Sequence, residues 1–348
     1  MINQVHLFFS KMTLRQMMTL AITIVSLSFT GAFVLFVIMA RKNARETATI
    51  VAQNAIEHTI SKINRGFNSV EADVDKAAWK VVAHLDQPQY MYTIPRELIE
   101  NNEHVYGGAV AFEYNYYESE GRFFSPYCWR DGDSISSKQL GTIEYEYHYM
   151  DWYQIPKLLR RSYWCEPYYD EGGGEHFVTT FSRPLFDKRD NMYGVVTADI
   201  SLDWLKNVVN GAMPFKGSYP LLLGRGCEFI VCPDSAAVLN ETIFSETFGC
   251  DDEDVLEPLR KMAADIQEDK SDYVVMDREG TTYYIYYSEM SKTEWVVAIC
   301  CPEKEIYAEA NSLIKTVGIA FFSILVLLLV LHTRIVKSMS RRKHKEEQ

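Results

Sequence analysis

Two long stretches with almost no charge constrain this chain more than any other feature of its sequence. Residues 17–40, MMTLAITIVSLSFTGAFVLFVIMA, have no charged side chain, and residues 313–331, LIKTVGIAFFSILVLLLVL, have only Lys315 near their start. About 20 apolar residues in a helix cross the roughly 30 Å core of a bilayer, and a lysine near one end can extend to the headgroups. A signal peptide has a shorter apolar core of about 7 to 15 residues. The sequence therefore predicts two transmembrane helices, at 17–40 and 313–331.

Basic residues predict how these helices are oriented. The tail HTRIVKSMSRRKHK follows the second stretch, and Lys11 and Arg15 precede the first. The positive-inside rule places such segments in the cytoplasm, although the RKNAR that follows the first stretch is a contrary signal. We therefore expect a two-pass membrane protein with residues 1–16 and 332–348 in the cytoplasm and residues 41–312 outside it.

Composition and motifs exclude several classes of function. The formal net charge is -12 although the tail is basic, and nucleic-acid affinity depends on Lys and Arg against phosphate. The sequence has no G-x-S-x-G, no H-E-x-x-H and no phosphate-binding loop motif. These motifs mark serine hydrolases, zinc proteases and nucleotide-binding enzymes. We therefore expect no nucleic-acid partner, no enzymatic activity in this chain, no cofactor and no metal site.

Seven cysteines leave at least one thiol unpaired, since the count is odd. The chain has no C-x-x-C, and the spacings fit no zinc framework. Buried, reduced cysteines or one or two disulfides remain the alternatives, because an extracytoplasmic location permits disulfides.

A long helix is predicted for residues 41–85. Its apolar residues alternate steps of four and three, as in a coiled-coil seam. The seam consists of Ile56, Ile60, Ile63, Phe67, Val70, Val74, Ala77 and Val81. We expect a homodimer paired along this seam, while packing of the seam on its own domain remains the alternative.

Two groups of predicted strands follow, each rich in β-branched and aromatic residues and bounded by turn residues. The first group is VYGGAVAFEY, RFFSPYCWR, HFVTTFSRPLF and MYGVVTADI; the second is YPLLLG, CEFIVCPD, SDYVVM, TTYYIYYSEM and EWVVAICCP. A short helix, SLDWLKNVVNGA, separates them with Ser201 as its N-cap. The predicted fold class is α+β: a long N-terminal helix plus two tandem antiparallel sheets, flanked by two transmembrane helices.

The segment YEYHYMDWYQIP, residues 145–156, contains five aromatic residues and a histidine without a regular hydrophobic period. Aromatic rings form stiff walls for a small-molecule pocket. The carboxylates of Asp170 and Asp199 are suited to pair with an ammonium group, assisted by cation-π contact with Trp152 or Tyr153. A tyrosine-rich outer face of an ordinary sheet is the alternative.

The segments DWY, EPYYDEGG, TTFSRPL and GVVTADISL within residues 150–205 resemble the ligand-pocket half of a double-Cache sensor domain. The resemblance covers about residues 40–312. It implies two PAS-like (Cache) sheets in series, a membrane-distal unit at 86–205 and a membrane-proximal unit at 206–312. In the proximal unit, we expect mechanical coupling rather than recognition.

In amino-acid-binding members of this family, a Tyr is followed five residues later by an Arg, then by a Trp-Tyr pair and downstream aspartates. The predicted ligand-binding residues are therefore Tyr145, Met150, Trp152, Tyr153, Asp170 and Asp199. Met150, however, occupies the position of the Arg that holds the ligand carboxylate through bidentate guanidinium geometry. The carboxylate of an α-amino acid would stay unpaired in an acidic pocket, unless Arg160 or Arg161 folds back. The resemblance thus implies an amine or a neutral polar ligand without a carboxylate.

The predicted function is a transmembrane sensor that binds a small extracytoplasmic ligand in the distal pocket and passes a conformational signal through both membrane helices. The resemblance is to sensors attached to metal-dependent serine phosphatases or histidine kinases. About 17 residues follow the second stretch, so we expect no output domain in this sequence and a cytoplasmic output module in cis or in trans. The alternative is a membrane-anchored scaffold or protein-binding module with no small ligand. A cavity lined by Trp152, Tyr153 and Asp199 would favour the sensor, and a packed interior would favour the scaffold.

Overall fold

A computed structural model describes residues 13–211, 213–278 and 280–346. Most of the predicted N-terminal segment, including Lys11, lies outside the described residues, as do residues 347–348 of the predicted tail. The chain divides into a helical unit, with described residues 13–50 and 303–346, and a mixed unit, Val51–Pro302.

Seven α-helices are described. They are α1 (Leu14–Ala83), α2 (Thr93–Asn101), α3 (Asp151–Leu159), α4 (Leu202–Asn210), α5 (Glu253–Gln267), α6 (Glu303–Ile306) and α7 (Ala308–Glu346). Short 3-10 helices occur at Pro88–Tyr92, Glu118–Glu120, Tyr147–Tyr149 and Ser245–Thr247. The predicted Ser201 cap is confirmed, since its hydroxyl accepts a hydrogen bond from the Trp204 N–H at 3.2 Å.

The helical unit contains both predicted membrane segments. By length and composition, α1 and α7 each contain a stretch able to cross a membrane, with mean hydropathy 2.4 and 2.6 and no buried residue in either stretch. The Phe321 ring of α7 stacks on Phe29 and Phe33 of α1, with centroids 5.1 and 4.7 Å apart. Two apolar helices therefore flank the mixed unit in sequence.

Twelve strands form two antiparallel sheets in the mixed unit. They are β1 (Gly107–Phe112), β2 (Ser125–Asp131), β3 (Ser134–Leu140), β4 (Tyr163–Trp164), β5 (Tyr168–Tyr169), β6 (Phe177–Phe186), β7 (Met192–Ser201), β8 (Tyr219–Leu223), β9 (Phe229–Val231), β10 (Asp272–Arg278), β11 (Thr281–Met290) and β12 (Trp295–Pro302). The first sheet has the order β3-β2-β1-β7-β6-β4, with β5 pairing with β6, and the second has the order β10-β11-β12-β8-β9. The predicted α+β class, with a long N-terminal helix and two antiparallel sheets in series, is confirmed.

Five helices and strands of the first sheet region were not predicted, namely α2, α3, β3, β4 and β5. Strand β3 lies at the sheet edge, where it pairs with β2. Its sequence, SISSKQL, is mostly polar and lacks the alternating apolar pattern that predicts a strand. Helix α3 contains Pro156 in its interior, a residue that normally argues against a helix.

The seam of the long helix packs within its own chain. Ile56, Ile63 and Phe67 are each 0% exposed. The Phe67 ring stacks on Trp164 at 4.1 Å and meets the edge of Trp295 at 5.8 Å between centroids. The alternative of packing on its own domain is therefore what the structure contains, and a dimer cannot pair along this buried seam.

All seven cysteines lie in described residues and all are unpaired. Five of them, Cys128, Cys165, Cys227, Cys300 and Cys301, are buried. These five act as small apolar residues of the two sheets, in agreement with the first of the two alternatives drawn from the sequence.

Candidate functional site

The two predicted aspartates meet at one end of the first sheet. Asp199, near the end of β7, lies directly opposite Gly107, the first residue of β1. On its other side it lies opposite Thr180 of β6. Asp170 follows β5 and begins the turn EGGG. Although 29 positions separate them in the sequence, strand pairing and this turn bring both carboxylates to the side chain of Tyr127.

Hydroxyl and amide donors hold the two carboxylates. The Tyr127 hydroxyl donates to Asp170 Oδ2 at 2.9 Å, and the Gly174 N–H donates to the same oxygen at 2.6 Å. The Thr180 hydroxyl donates to Asp199 Oδ1 at 2.7 Å. The Tyr127 hydroxyl also lies beside Asp199 and lowers its pKa. One hydroxyl proton cannot serve both carboxylates, so the cluster has more acceptor capacity than donors.

Glycines make room for this cluster. A Cβ atom at Gly107 would lie 2.5 Å from the Tyr127 hydroxyl and 2.8 Å from Asp199 Oδ2. A Cβ atom at Gly173 would lie 2.0 Å from Asp170 Oδ2. All three distances are too short for a side chain, so only glycine permits the backbone to approach the carboxylates at these positions.

Burial strongly affects both acids, which are 4% and 3% exposed at Asp170 and Asp199. Burial raises the pKa of Asp199, repulsion from Asp170 raises it further, and the hydrogen bond from Thr180 opposes the shift. Burial also raises the pKa of Asp170, against the lowering effects of Gly174, Tyr127 and Lys138. Two buried carboxylates in one cluster cannot both ionise without a compensating positive charge.

The described residues supply only part of the positive charge that would compensate both carboxylates. Lys138 lowers the pKa of Asp170, but its ammonium donates to the Gly173 carbonyl at 2.6 Å and lies 5.1 Å from the Trp129 ring. Among the described residues no Lys or Arg forms an ion pair with Asp170 or Asp199. The site is therefore a buried acidic cluster whose charge is not fully compensated by basic ion-pair partners among the described residues.

Tyr145 lies beside the carboxylates, and Trp152 lies beside Tyr145. Burial raises the pKa of Tyr145, and the charges of Asp170 and Asp199 raise it further. Hydrogen bonding to the Trp152 indole has the opposite effect. Trp152 is 5% exposed, and its ring belongs to a buried aromatic cluster with Tyr147 and Tyr153. These two predicted residues form an aromatic wall beside the acids.

Tyr153 and Met150 lie in and against the same aromatic cluster as Trp152. Tyr153 is 0% exposed, and its hydroxyl donates to Glu113 at 3.1 Å rather than to either aspartate. Met150 is half-buried against the aromatic cluster and caps α3 with its backbone alone. Arg160, at the end of α3, pairs with Asp190 and lies 4.5 Å from the Phe186 ring, so its guanidinium is engaged elsewhere.

Several residues of the cluster were not predicted. They are Tyr127, Thr180, Lys138, Gly107 and the Gly173-Gly174 pair. Thr180 lies in the TTFSRPL segment and Gly174 in EPYYDEGG, both singled out from the sequence, but no local pattern marks Tyr127 or Lys138 because their role depends on which strands pair. Within the described residues no group of three or more His, Cys, Asp or Glu side chains has metal-binding geometry.

Comparison with known proteins places this fold. Residues 91–207 match the family model described as the first PDC sensor domain of methyl-accepting chemotaxis protein-like proteins. A search of curated proteins found no match.

Solved structures of sensor domains match the region that contains both sheets. The extracellular domain of a protein described as a histidine kinase, soHK1S-Z6, is 23% identical with a TM-score of 0.61, covering 78% of this chain and 98% of that one. The periplasmic sensory domain of the Campylobacter jejuni chemoreceptor Tlp1 is 12% identical with a TM-score of 0.60, covering 76% and 98%. The ligand-binding domain of the Pseudomonas fluorescens chemoreceptor CtaA, solved with L-isoleucine, is 14% identical with a TM-score of 0.55, covering 77% and 96%. The predicted fold, with two sheets in series as in double-Cache or PDC-type domains, is confirmed.

Proposed function

We propose that this chain is the sensing part of a two-pass receptor of the bacterial inner membrane, with both termini in the cytoplasm. Its distal sheet binds a small ligand with a cationic head, and its signal reaches a cytoplasmic output module in cis or in trans. The observation that carries this proposal is the buried Asp170–Asp199 cluster, which lacks a basic ion-pair partner among the described residues. Support for a sensor role also comes from the fold shared with chemoreceptor and histidine kinase domains.

An ammonium group satisfies this cluster better than any other common ligand head. It provides up to three N–H donors and a positive charge that compensates the two carboxylates. Charge-assisted hydrogen bonds of this kind are about twice as strong as neutral ones. The rings of Tyr145 and Trp152 supply the apolar wall for the rest of the ligand, and an ammonium beside such rings gains cation-π attraction.

The half-buried Met150 argues against ordinary α-amino acids. A ligand carboxylate requires a donor that Met150 cannot supply, and Arg160 is engaged with Asp190. One observation favours a second candidate ligand class. The Lys138 ammonium lies beside Asp170 and Gly173, and it becomes a carboxylate partner if an amino acid displaces the Gly173 carbonyl. Relatives such as CtaA, crystallised with L-isoleucine, make this comparison necessary.

A chain of contacts links the distal cluster to the second sheet. Thr180, the partner of Asp199, pairs through its carbonyl with the Cys165 N–H at 3.0 Å. The next residue, Glu166, accepts a hydrogen bond from the Trp295 indole at 3.0 Å and lies 3.3 Å from Arg225. Trp295 begins β12, and α6 begins at Glu303, directly after β12 ends. A ligand that favours one arrangement of β4 over another would thereby shift the equilibrium at the start of the last helices.

The test is ligand binding to the full chain in detergent, measured as a shift in melting temperature. Matched probes separate the alternatives: phenethylamine carries only the ammonium, L-phenylalanine carries both charges, and a series of smaller amines and standard amino acids extends each class. We expect at least one amine to raise the melting temperature, Asp199→Asn to abolish that rise, and Asp133→Asn, an exposed change between β2 and β3, to preserve it. Micromolar binding of a standard amino acid would contradict the proposed ligand class.

The scaffold remains a second candidate because of one specific observation. Trp152 and Tyr153 were expected to line a cavity, but they are only 5% and 0% exposed because other side chains of this chain cover them. If every amine and amino acid fails to shift the melting temperature of a well-folded chain, the acidic cluster is structural and the chain acts through a protein partner. A homodimer also remains a prediction, and it must use a surface other than the buried seam.

A further inference from the structure

The two buried carboxylates of the first sheet have more acceptor sites than donors. Asp170 accepts hydrogen bonds from the Tyr127 hydroxyl and the Gly174 N–H, at 2.9 and 2.6 Å. Asp199 accepts one from the Thr180 hydroxyl at 2.7 Å. Two ionised carboxylates offer roughly eight lone-pair sites, and both side chains are almost completely buried. The cluster therefore needs a further donor when no ligand is bound.

The neighbouring hydroxyls are committed to other acceptors. The single proton of Thr180 goes to Asp199, so the Tyr168 hydroxyl, 2.9 Å from Thr180 Oγ1, is the donor to Thr180. The Tyr106 hydroxyl donates to the Gly174 carbonyl at 3.1 Å. A proton bound by one of the two carboxylates supplies the missing donor within the chain itself.

Asp199 is the carboxylate that holds this proton. Burial, followed by repulsion from Asp170, raises the pKa of Asp199 to about 7. Burial also raises the pKa of Asp170, but hydrogen bonds from Gly174 and Tyr127 oppose that rise. Because its surroundings stabilise the anion better, Asp170 stays ionised when the pair carries one proton.

The groups around the pair are of three kinds. Burial raises the pKa of six neighbours, and nearby acids add to the rise; they are Tyr106, Tyr127, Tyr145, Tyr168, Tyr169 and Cys165. These six stay neutral up to about pH 8. Lys138 lowers the pKa of Asp170, and the exposed Glu175 raises it. Histidines ionise near neutral pH, but the ring of nearby His176 pairs with exposed Asp203 at 3.2 Å rather than with the acids.

We propose that the amine site is coupled to a proton: an amine binds to the Asp170–Asp199 cluster in exchange for the proton that the two carboxylates share. This inference rests on the function proposed above, because it concerns the same site. The O–H bond of the carboxyl group breaks and its proton passes to solvent, while the ligand ammonium supplies N–H donors and one positive charge. The net charge of the site is thus the same before and after binding.

The coupling predicts the size of the pH effect. An alkylammonium, like that of lysine with a pKa of about 10.4, stays charged throughout the range from pH 6 to pH 8. The apparent affinity falls with the fraction of chains in the binding-competent form, here the doubly ionised one. With the pKa of Asp199 at about 7, that fraction is about ten times smaller at pH 6 than at pH 8. The receptor therefore responds less to the same amine concentration in acid.

The experiment is calorimetric titration of the full chain in detergent with phenethylamine at pH 6, 7 and 8, in buffers that contain no amine. The base needed to hold the pH during binding counts the protons released. We expect binding about tenfold weaker at pH 6 than at pH 8. We also expect about one proton released per bound amine at pH 6 and about one tenth of a proton at pH 8.

Matched tyrosine variants test whether the proton belongs to this pair. Tyr127→Phe removes the hydroxyl that stabilises both anions and should raise the number of protons released at pH 8. Tyr106→Phe removes a hydroxyl that donates to a carbonyl instead and should behave as wild type, as should His176→Asn. If Tyr127→Phe does not fold, the wild-type comparison of pH 6 with pH 8 still decides.

The outcomes separate this inference from the proposed function. Equal affinity at pH 6 and pH 8 without proton release overturns the coupling and leaves the amine site in place. Loss of the pH dependence in His176→Asn also overturns the coupling, because the proton then belongs to the histidine. No binding of any amine at any of these pH values overturns the proposed function and the coupling together.

Discussion

Replacing Asp199 with Asn should have opposite effects on ligand binding and on the free energy of unfolding. Asn keeps the shape of the side chain, and its amide oxygen can accept the hydrogen bond that the Thr180 hydroxyl donates to Asp199 Oδ1 at 2.7 Å. It removes a buried negative charge beside Asp170. We therefore expect the variant without ligand to be more stable than wild type at pH 8, although it cannot bind an amine.

The pKa of Asp199 sets the size of the effect. Burial, followed by repulsion from Asp170, raises this pKa from 3.8 to about 7. Each unit of pKa difference between folded and unfolded states corresponds to about 1.4 kcal/mol, so ionised Asp199 destabilises the fold by at most roughly 4 kcal/mol. The Asn amide hydrogens need an acceptor of their own, so we expect a gain of about 2–4 kcal/mol and a melting temperature higher by roughly 5–10 °C.

The sign of the pH dependence follows from the raised pKa. Below the unfolded-state value of 3.8, both states are protonated and Asp199 imposes no penalty. As the pH rises towards about 7, the unfolded chain loses this proton before the folded chain does, so wild-type stability falls through this window. Asn has no such proton. The two chains should differ little at pH 4 and most at pH 8.

The assay is thermal unfolding of the full chain in detergent at pH 4, 5, 6, 7 and 8, for wild type, Asp199→Asn and the exposed control Asp133→Asn. Subtracting wild type from each variant removes the pH dependence of all other groups. The reasoning is refuted if the difference for Asp199→Asn does not grow with pH, or if it matches that of Asp133→Asn. At pH 8 an amine that stabilises wild type should leave Asp199→Asn unchanged.

Five further variants, one of them a control, test the site and other parts of the structure. Met150→Arg should introduce binding of L-phenylalanine, seen by calorimetry, and no gain would show that position 150 does not face the ligand. Gly107→Ala places a methyl group 2.5 Å from the Tyr127 hydroxyl and should abolish amine binding in the thermal-shift assay. Phe67→Ala, which removes a fully buried ring, should lower the free energy of unfolding by about 3–5 kcal/mol in denaturant titrations, whereas exposed Trp79→Ala should change it by less than about 0.5 kcal/mol. Burial raises the pKa of Glu166 to about 7, so Glu166→Gln should gain stability relative to wild type as the pH rises from 5 to 8; an unchanged difference would contradict this.

Much of the fold was accessible from the sequence because its signals are local. Uninterrupted apolar residues mark α1 and α7, and alternating β-branched and aromatic residues mark β6, β7, β11 and β12. The Ser201 cap is also a local signal, because its hydroxyl accepts a hydrogen bond from the Trp204 N–H, only three residues along the chain. Strand β3 and helix α3 were missed for the opposite reason, since packing against the rest of the domain overrides their weak or contrary local propensities.

The candidate site was accessible only in part. Residue types suggested Asp170, Asp199 and Trp152, because carboxylates and aromatic rings suit a cationic ligand, and the resemblance added Tyr145. Tyr153 was predicted with them from its ring and from the Trp-Tyr pair of the resemblance. On a helix, however, adjacent residues point about 100° apart, and the Tyr153 hydroxyl contacts Glu113 instead.

The sequence by itself determined that this chain has two apolar membrane-type helices, two strand-rich regions between them and an acidic, aromatic segment suited to a cation. Only the tertiary structure decided that the helix seam is buried in its own domain and that Tyr127 lies between Asp170 and Asp199. The physical reason is that hydrophobic period and turn chemistry act over a few residues, whereas these contacts depend on the pairing of strands that lie far apart in the chain.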